Sequence, residues 1–235
     1  MRSEASSNST SAANFLPAHE TLSTLQAAAR ECEGCELYQR ATQTVFGEGP
    51  TPASLMLIGE VPGDQEDRLG HPFVGPAGRL LDDSLAAAKI SRQEVYLTNA
   101  VKHFGWEPRG KRRLHSRPKL RHVTACRPWW EAEIRVIKPR VIVCLGALAA
   151  QALLGRDFRI TRRRGESIDS PWAPCVMATW HPSAVLRTPD EADRNRMQQE
   201  LIDDLRRAAR ATEAADGLRS VHRAAGQRPA RRRVK

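Results

Sequence analysis

Four short apolar runs recur along the chain, with helix-spaced segments between them. Leu55-Met56-Leu57-Ile58 ends at Gly59, and Val95-Tyr96-Leu97-Thr98 ends at Asn99. Val141-Ile142-Val143-Cys144-Leu145 is the third run, and Cys175 to Thr179 leads into His181-Pro182-Ser183. Consecutive apolar positions over so few residues predict strands buried on both faces. The intervening stretches follow the 3.6-residue period. A short helix is predicted over Glu20 to Arg30, and Ala77 to Lys89 carries Leu80, Leu81, Leu85 and Ala88 on one face. Another helix runs through Trp129, Trp130, Ile134 and Ile137 and stops before Pro139, where the ring cannot continue it. Gly146 to Leu154 predicts a small-residue helix, and Glu191 to Ala211 an amphipathic one that closes the domain. Lys102 to Pro118, rich in Gly, Pro and Arg, is expected to be loop. Strands alternating with helices predict an α/β protein: a three-layer α/β/α domain with a mostly parallel central sheet.

Ligands of such sheets gather beyond the carboxyl ends of the strands. Three polar segments leave at that edge: Gly59-Glu60-Val61-Pro62-Gly63-Asp64, Asn99 to His115, and His181-Pro182-Ser183. Glu60 is expected to emerge there from a tight glycine turn, with Asp64 beside it. Asn99 carries an amide that donates and accepts together, which suits a nucleobase edge. Phe73, in a Gly/Pro-rich loop, is able to stack on a base or to plug the loop onto the core. Together these groups describe a base pocket.

Charge sharpens the choice of partner. The net charge is +10, and six of those charges lie between Val221 and Lys235, leaving four for the rest. Residues 213–235 are therefore expected to form a disordered basic tail, 1–19 a flexible leader, and 20–212 the folded domain. Locally, Arg109, Lys111, Arg112, Arg113, Arg117, Lys119 and Arg121 crowd one stretch, which favours a nucleic-acid partner. Within it, Lys111-Arg112-Arg113-Leu114-His115 is either a phosphate clamp with a bystander histidine or something sharper. Adjacent cations disfavour the imidazolium, which would leave His115 neutral and nucleophilic.

The chain has five cysteines. No secretory signal precedes them in the polar Met1 to Asn14, and no apolar run is long enough to span a bilayer. A cytoplasmic protein with metal or buried-thiol roles is expected, not a disulfide framework. Cys32-x-x-Cys35 is the clearest metal signal, with Cys126 and His103 as the best further ligands. Zinc and an iron–sulfur cluster fit that donor set equally. Cys144 and Cys175 sit in apolar strands as small hydrophobes.

At this point the motifs carry a resemblance. Gly59-Glu60-Val61-Pro62-Gly63, Pro72-Phe73-Val74-Gly75-Pro76-Ala77-Gly78, Tyr96-Leu97-Thr98-Asn99 and His181-Pro182-Ser183 closely resemble family-4 uracil-DNA glycosylases. Lys111-Arg112-Arg113-Leu114-His115 looks like the insertion of their UdgX relatives, and the likeness extends from about Leu22 to Arg207. The resemblance implies the uracil-DNA glycosylase fold with a 4Fe-4S cluster on Cys32, Cys35, His103 and Cys126. It implies a flipped uracil stacked on Phe73, read by Asn99, and leaving with its charge stabilised by His181. Glu60 would stabilise the cationic sugar or orient the attacking group. His115 would attack the anomeric carbon and stay attached, with Arg113 holding its loop. Uracil-containing DNA, single-stranded by preference, is the implied partner and free uracil the product, with the protein acting as a monomer away from membranes. Two alternatives stay open: a conventional multiple-turnover glycosylase, and a non-catalytic binder of damaged or single-stranded DNA. One departure is visible, since Val61 stands where UdgX proteins usually have glutamine.

Overall fold

The computed structural model describes residues 11–110 and 112–226. Its strands are β1 (Leu55–Gly59), β2 (Val95–Asn99), β3 (Trp106–Arg109), β4 (Arg112–His115), β5 (Val141–Leu145), β6 (Ile168–Ser170) and β7 (Ala173–Thr179). The helices are α1 (Leu22–Ala29), α2 (Asp64–Leu69), α3 (Pro76–Ala87), α4 (Leu120–Ile137), α5 (Ala147–Leu154), α6 (Ile160–Arg163), α7 (Pro182–Arg187) and α8 (Glu191–Gly226). The main sheet has the order β2–β1–β5–β7–β6, parallel throughout except for the edge strand β6.

Side chains alternate across that sheet and so build two cores. Met56, Ile58, Tyr96, Ile142, Cys144 and Val176 pack under α4 and α5, against Trp130, Ile134 and Leu148. Leu55, Leu57, Leu97, Val143 and Met177 face the other way, against Leu81 and Leu85 of α3 and Leu201 and Leu205 of α8. Two covered faces explain why the strands read as unbroken apolar runs. A third cluster joins Leu25 and Ala29 of α1 to Cys32, Phe46, Cys126 and Trp129.

Register delivers the loops to one edge. Gly59 lies beside Asn99, and Leu145 beside Thr179. Backbone bonds carry the ladder past the strand ends: Ala100 N donates to Gly59 O (2.9 Å), Val101 N to Glu60 O (3.1 Å) and Gly146 N to Thr179 O (2.9 Å). The segments after β1, β2, β5 and β7 therefore leave side by side.

Three expectations need correction. The stretch Lys102 to Pro118 is not all loop: β3 and β4 pair as an antiparallel hairpin, with Trp106 opposite His115 and Pro108 opposite Arg113. Gly110 turns it at φ 59°, a conformation open to glycine. Second, the closing helix runs past Ala211 to Gly226, so the tail expected from 213 begins as helix. Glu213, Ala214, Ala215 and Leu218 are strong helix formers, which explains the extension. The basic residues from Arg228 to Lys235 lie outside the described residues. Third, the leader expected over 1–19 packs onto the domain from Ser11. Ser11 caps a 3₁₀ turn, and Ala12 is buried against the third cluster. Among the described residues no helix is long and apolar enough to cross a membrane.

Candidate active site

A cavity of about 770 Å³ opens at the carboxyl edge of the sheet. Glu60, Val61, Asp64, Phe73, Asn99, His115 and His181 all line it, so seven residues singled out from sequence meet in one place. Its floor depends on a missing side chain. A Cβ on Gly59 would lie 2.3 Å from Asn99 Oδ1 and 2.5 Å from Phe73 Cζ. The amide and the ring edge thus meet directly over Gly59. The Asn99 amide lines the cavity and makes no hydrogen bond to the described residues. Phe73 holds φ 56°, a costly conformation for a bulky residue. Arg92 Nη2 holds the turn by donating to the Pro72 (3.1 Å) and Phe73 (3.4 Å) carbonyls. Glu66 joins the two loops, accepting from Gly63 N (3.1 Å) and Gly75 N (2.8 Å). Gly59→Ala is expected to displace both Asn99 and Phe73. Misplacement on the scale of 1 Å costs about a hundredfold in rate, measurable as the single-turnover rate on the pocket's substrate with the melting temperature as control.

Glu60 and His181 form the opposite wall, again around a glycine. A Cβ on Gly146 would lie 2.5 Å from Glu60 Oε1 and 3.0 Å from His181 Cβ. Glu60 Oε1 accepts from Leu148 N (3.2 Å) at the start of α5, and Oε2 has no partner among the described residues. A carboxylate is well placed at a helix start. His181 Nδ1 accepts from Ser183 N (3.1 Å) and contacts Ser183 Oγ (2.8 Å). Accepting from a backbone N–H requires the lone pair on Nδ1, so neutral His181 carries its proton on Nε2, which has no acceptor among the described residues. Burial first, then Arg187 and His115, lowers its pKa to about 4.

The hairpin brings His115 to the mouth. Arg113 anchors it: its guanidinium ion-pairs with buried Asp67, reaches Asp64 Oδ1 at 3.1 Å, and stacks on Phe104 (4.9 Å) and Trp106 (4.8 Å). Asp67 in turn accepts from Thr42 N (2.9 Å). Asp64 therefore serves the hairpin as well as lining the cavity. The His115 imidazole lies 5.8 Å from the Phe104 ring, its outer surface exposed and its inner side enclosed. That enclosure lowers its pKa first, and Arg187 second. Among the described residues, enclosure and a cation remote in sequence thus act on the ring in the direction that the 111–113 stretch was expected to act. Arg112 is exposed on the hairpin and does not line the cavity, and Lys111 lies outside the described residues. Arg117 and Arg187 also line the mouth. Arg117 belongs to the basic stretch, whereas Arg187 had no signal beyond its place six residues after His181.

A second group of donors lies behind the pocket. Cys32, Cys35, His103 and Cys126 are all buried. Cys32 Sγ accepts from Trp129 Nε1 and Cys126 Sγ from Lys102 N, each at 3.2 Å, and Cys126 interacts electrostatically with both other thiols. Thr44 Oγ1 donates to Ala29 O (2.6 Å), so it accepts from His103 Nε2 (2.8 Å) and leaves the Nδ1 lone pair free. Burial lowers the His103 pKa to about 4 and raises the Cys35 and Cys126 thiols. Among the described residues no three His, Cys, Asp or Glu converge as a single ion requires. The two N–H···S bonds suit sulfurs that hold a metal centre. Cys144 is a buried hydrophobe, its thiol pushed up to about 12 by burial, and Cys175 is buried beside Ser167.

Comparison with known proteins finds a family and relatives. The family model described as uracil DNA glycosylase superfamily matches residues 46–206. A type-4 uracil-DNA glycosylase of Thermotoga maritima is 36% identical over 180 residues, covering 76% of this chain and 88% of that protein. A type-4 enzyme of Pyrobaculum aerophilum is 34% identical over 183 residues, covering 73% and 87%. A type-5 uracil-DNA glycosylase of the same organism is 30% identical over 179 residues, covering 68% and 73%.

Proposed function

This chain belongs to the uracil-DNA glycosylase superfamily, and we propose that it excises uracil from DNA and stays bonded to the sugar through His115. The observation that supports this reading best is the convergence of His115 with Glu60, Phe73, Asn99 and His181 on one cavity. A base flipped from the strand would stack on Phe73 and meet the free Asn99 amide. As the bond between C1′ and N1 breaks, both electrons leave with uracil. The His181 Nε2–H would stabilise the resulting oxyanion, and the unpartnered oxygen of Glu60 would face the cationic sugar. The neutral His115 lone pair would then form a new bond to C1′. The imidazolium so formed loses its N–H proton to solvent or Glu60, and the uracil anion takes one from water. In a conventional glycosylase, water would take the place of His115.

Cys32, Cys35, His103 and Cys126 would hold a 4Fe-4S cluster, whose contribution would be to cross-link the segments behind the pocket. Arg117 and Arg187 at the mouth would meet phosphates on either side of the flipped nucleotide. Bases in single-stranded DNA are already unpaired and cost less to flip, which is the physical reason to expect that preference.

Incubation with a uracil-containing single-stranded oligonucleotide tests the proposal, with an adduct stable to SDS and heat as the expected product. Free abasic product alone would leave a conventional glycosylase, and binding without uracil release a DNA binder. The acid limb of the pH profile adds a check. Below about pH 4, His181 gains a proton on Nδ1, which opposes the Ser183 N–H. Uracil release should therefore hold steady from pH 7 to about 5 and fall about tenfold per unit below about 4. A limb near the ordinary value of 6.5 would show another group in control.

A further inference from the structure

Lys102 and Glu133 form an ion pair in which both side chains are wholly inaccessible to solvent, behind the pocket and outside the chemistry above. Such pairs gain little over apolar side chains of the same shape, so one that persists invites a reason other than stability. Its contacts supply one. The three protons of Lys102 Nζ have three acceptors: Glu133 Oε2 (2.5 Å), Thr98 Oγ1 (2.5 Å) and the backbone carbonyl of Asn99 (3.0 Å). Glu133 Oε1 gathers Gly47 N (3.1 Å), Tyr96 Oη (3.0 Å) and Thr98 Oγ1 (2.9 Å). The ammonium therefore holds the last peptide of β2, and with it the direction in which the Asn99 side chain leaves the backbone.

The same residue faces the other way through its main chain. Lys102 N donates to Cys126 Sγ, and Cys126 lies on α4 two turns before Glu133. One residue thus joins Asn99 to the helix that carries Cys126, with Glu133 as the second tie to that helix.

We infer that the buried Lys102–Glu133 pair is a positioning device that sets the Asn99 amide against the edge of a bound pyrimidine and locks that setting to α4. The inference rests on the proposed reading of Asn99 as the group that meets uracil. Neither Lys102 nor Glu133 lines the cavity, so the pair acts through Asn99.

The test separates base from sugar in the full-length protein. Free uracil is titrated by calorimetry, and an oligonucleotide bearing a tetrahydrofuran abasic analogue, which has no base, by fluorescence anisotropy. Lys102→Met combined with Glu133→Gln removes the charges together and keeps an acceptor for Tyr96 and Gly47. Uracil affinity is expected to fall about tenfold, the size of one well-formed hydrogen bond, with the abasic analogue bound within about twofold of the parent. Thr98→Val, which keeps the shape and removes one acceptor of the ammonium, should give the same pattern at about threefold and serves where the double variant does not fold. Equal loss for both ligands, or loss for neither, overturns the inference. Asn99→Ala distinguishes the two levels: if it leaves uracil affinity unchanged, the reading of Asn99 has failed. If it lowers uracil affinity while Thr98→Val and the double variant do not, only the role of the pair has failed.

Discussion

Replacing His115 with serine is expected to abolish the SDS-stable adduct while uracil release persists. The imidazole presents a neutral lone pair at the cavity mouth, because enclosure and Arg187 both hold its pKa below the ordinary value. A serine hydroxyl is shorter and a weak nucleophile without an adjacent base. The groups assigned to breaking the glycosidic bond, Glu60, Asn99 and His181, keep their places, since the hairpin is held by Arg113 and its partners and not by His115. Release should therefore slow by no more than about a hundredfold, the low end of what one positioned catalytic group contributes. Denaturing electrophoresis of a labelled oligonucleotide, run beside alkaline cleavage of abasic sites, measures both quantities. The adduct band should give way to cleavable abasic product. A band of undiminished intensity in the serine variant would mean that another side chain forms the bond.

The largest effect on stability is expected from Glu133→Leu. Leucine is of similar bulk, but it leaves the Lys102 ammonium buried without its counter-ion. The same change strands the Gly47 N–H and the Tyr96 hydroxyl, which lose their acceptor. Breaking one side of a buried pair costs about 3–5 kcal/mol. In a domain of this size each kilocalorie shifts the melting midpoint by roughly 2–4 °C, so a drop of roughly 6–20 °C is expected by calorimetry. Lys102→Met with Glu133→Gln should lose much less, because no unpaired charge remains. A midpoint unchanged by Glu133→Leu would show that water or a rearranged partner reaches Lys102.

Much of the site was legible because its residues sit where strands end. Glu60, Asn99 and His181 each follow an apolar run within two residues, and a parallel sheet necessarily gathers such positions at one edge. Phe73 stood out as an aromatic among glycines and prolines, although its left-handed backbone and its clamp by Arg92 did not. The hairpin was hidden because its stability comes from elsewhere. Trp106, Pro108, Arg113 and His115 have no strand period to offer, and what holds them is Asp67 and the Phe104 ring. Glu133 was hidden for the opposite reason: within α4 it reads as one polar position on an otherwise apolar face, and only packing supplies its lysine.

Local pattern alone determined the element types, the parallel sheet and the edge where chemistry collects, because periodicity and chain direction are properties of neighbouring residues. It also singled out Cys32, Cys35, His103 and Cys126 as candidate donors, since thiols and imidazoles advertise themselves by type. Tertiary structure decided everything that depends on distance through space. It set the register that puts Gly59 beside Asn99 and the enclosure that keeps His115 and His181 neutral. It brought Arg187 to His115 and gave Lys102 its carboxylate. Charge and burial act across the fold, and no window along the chain contains both members of those pairs.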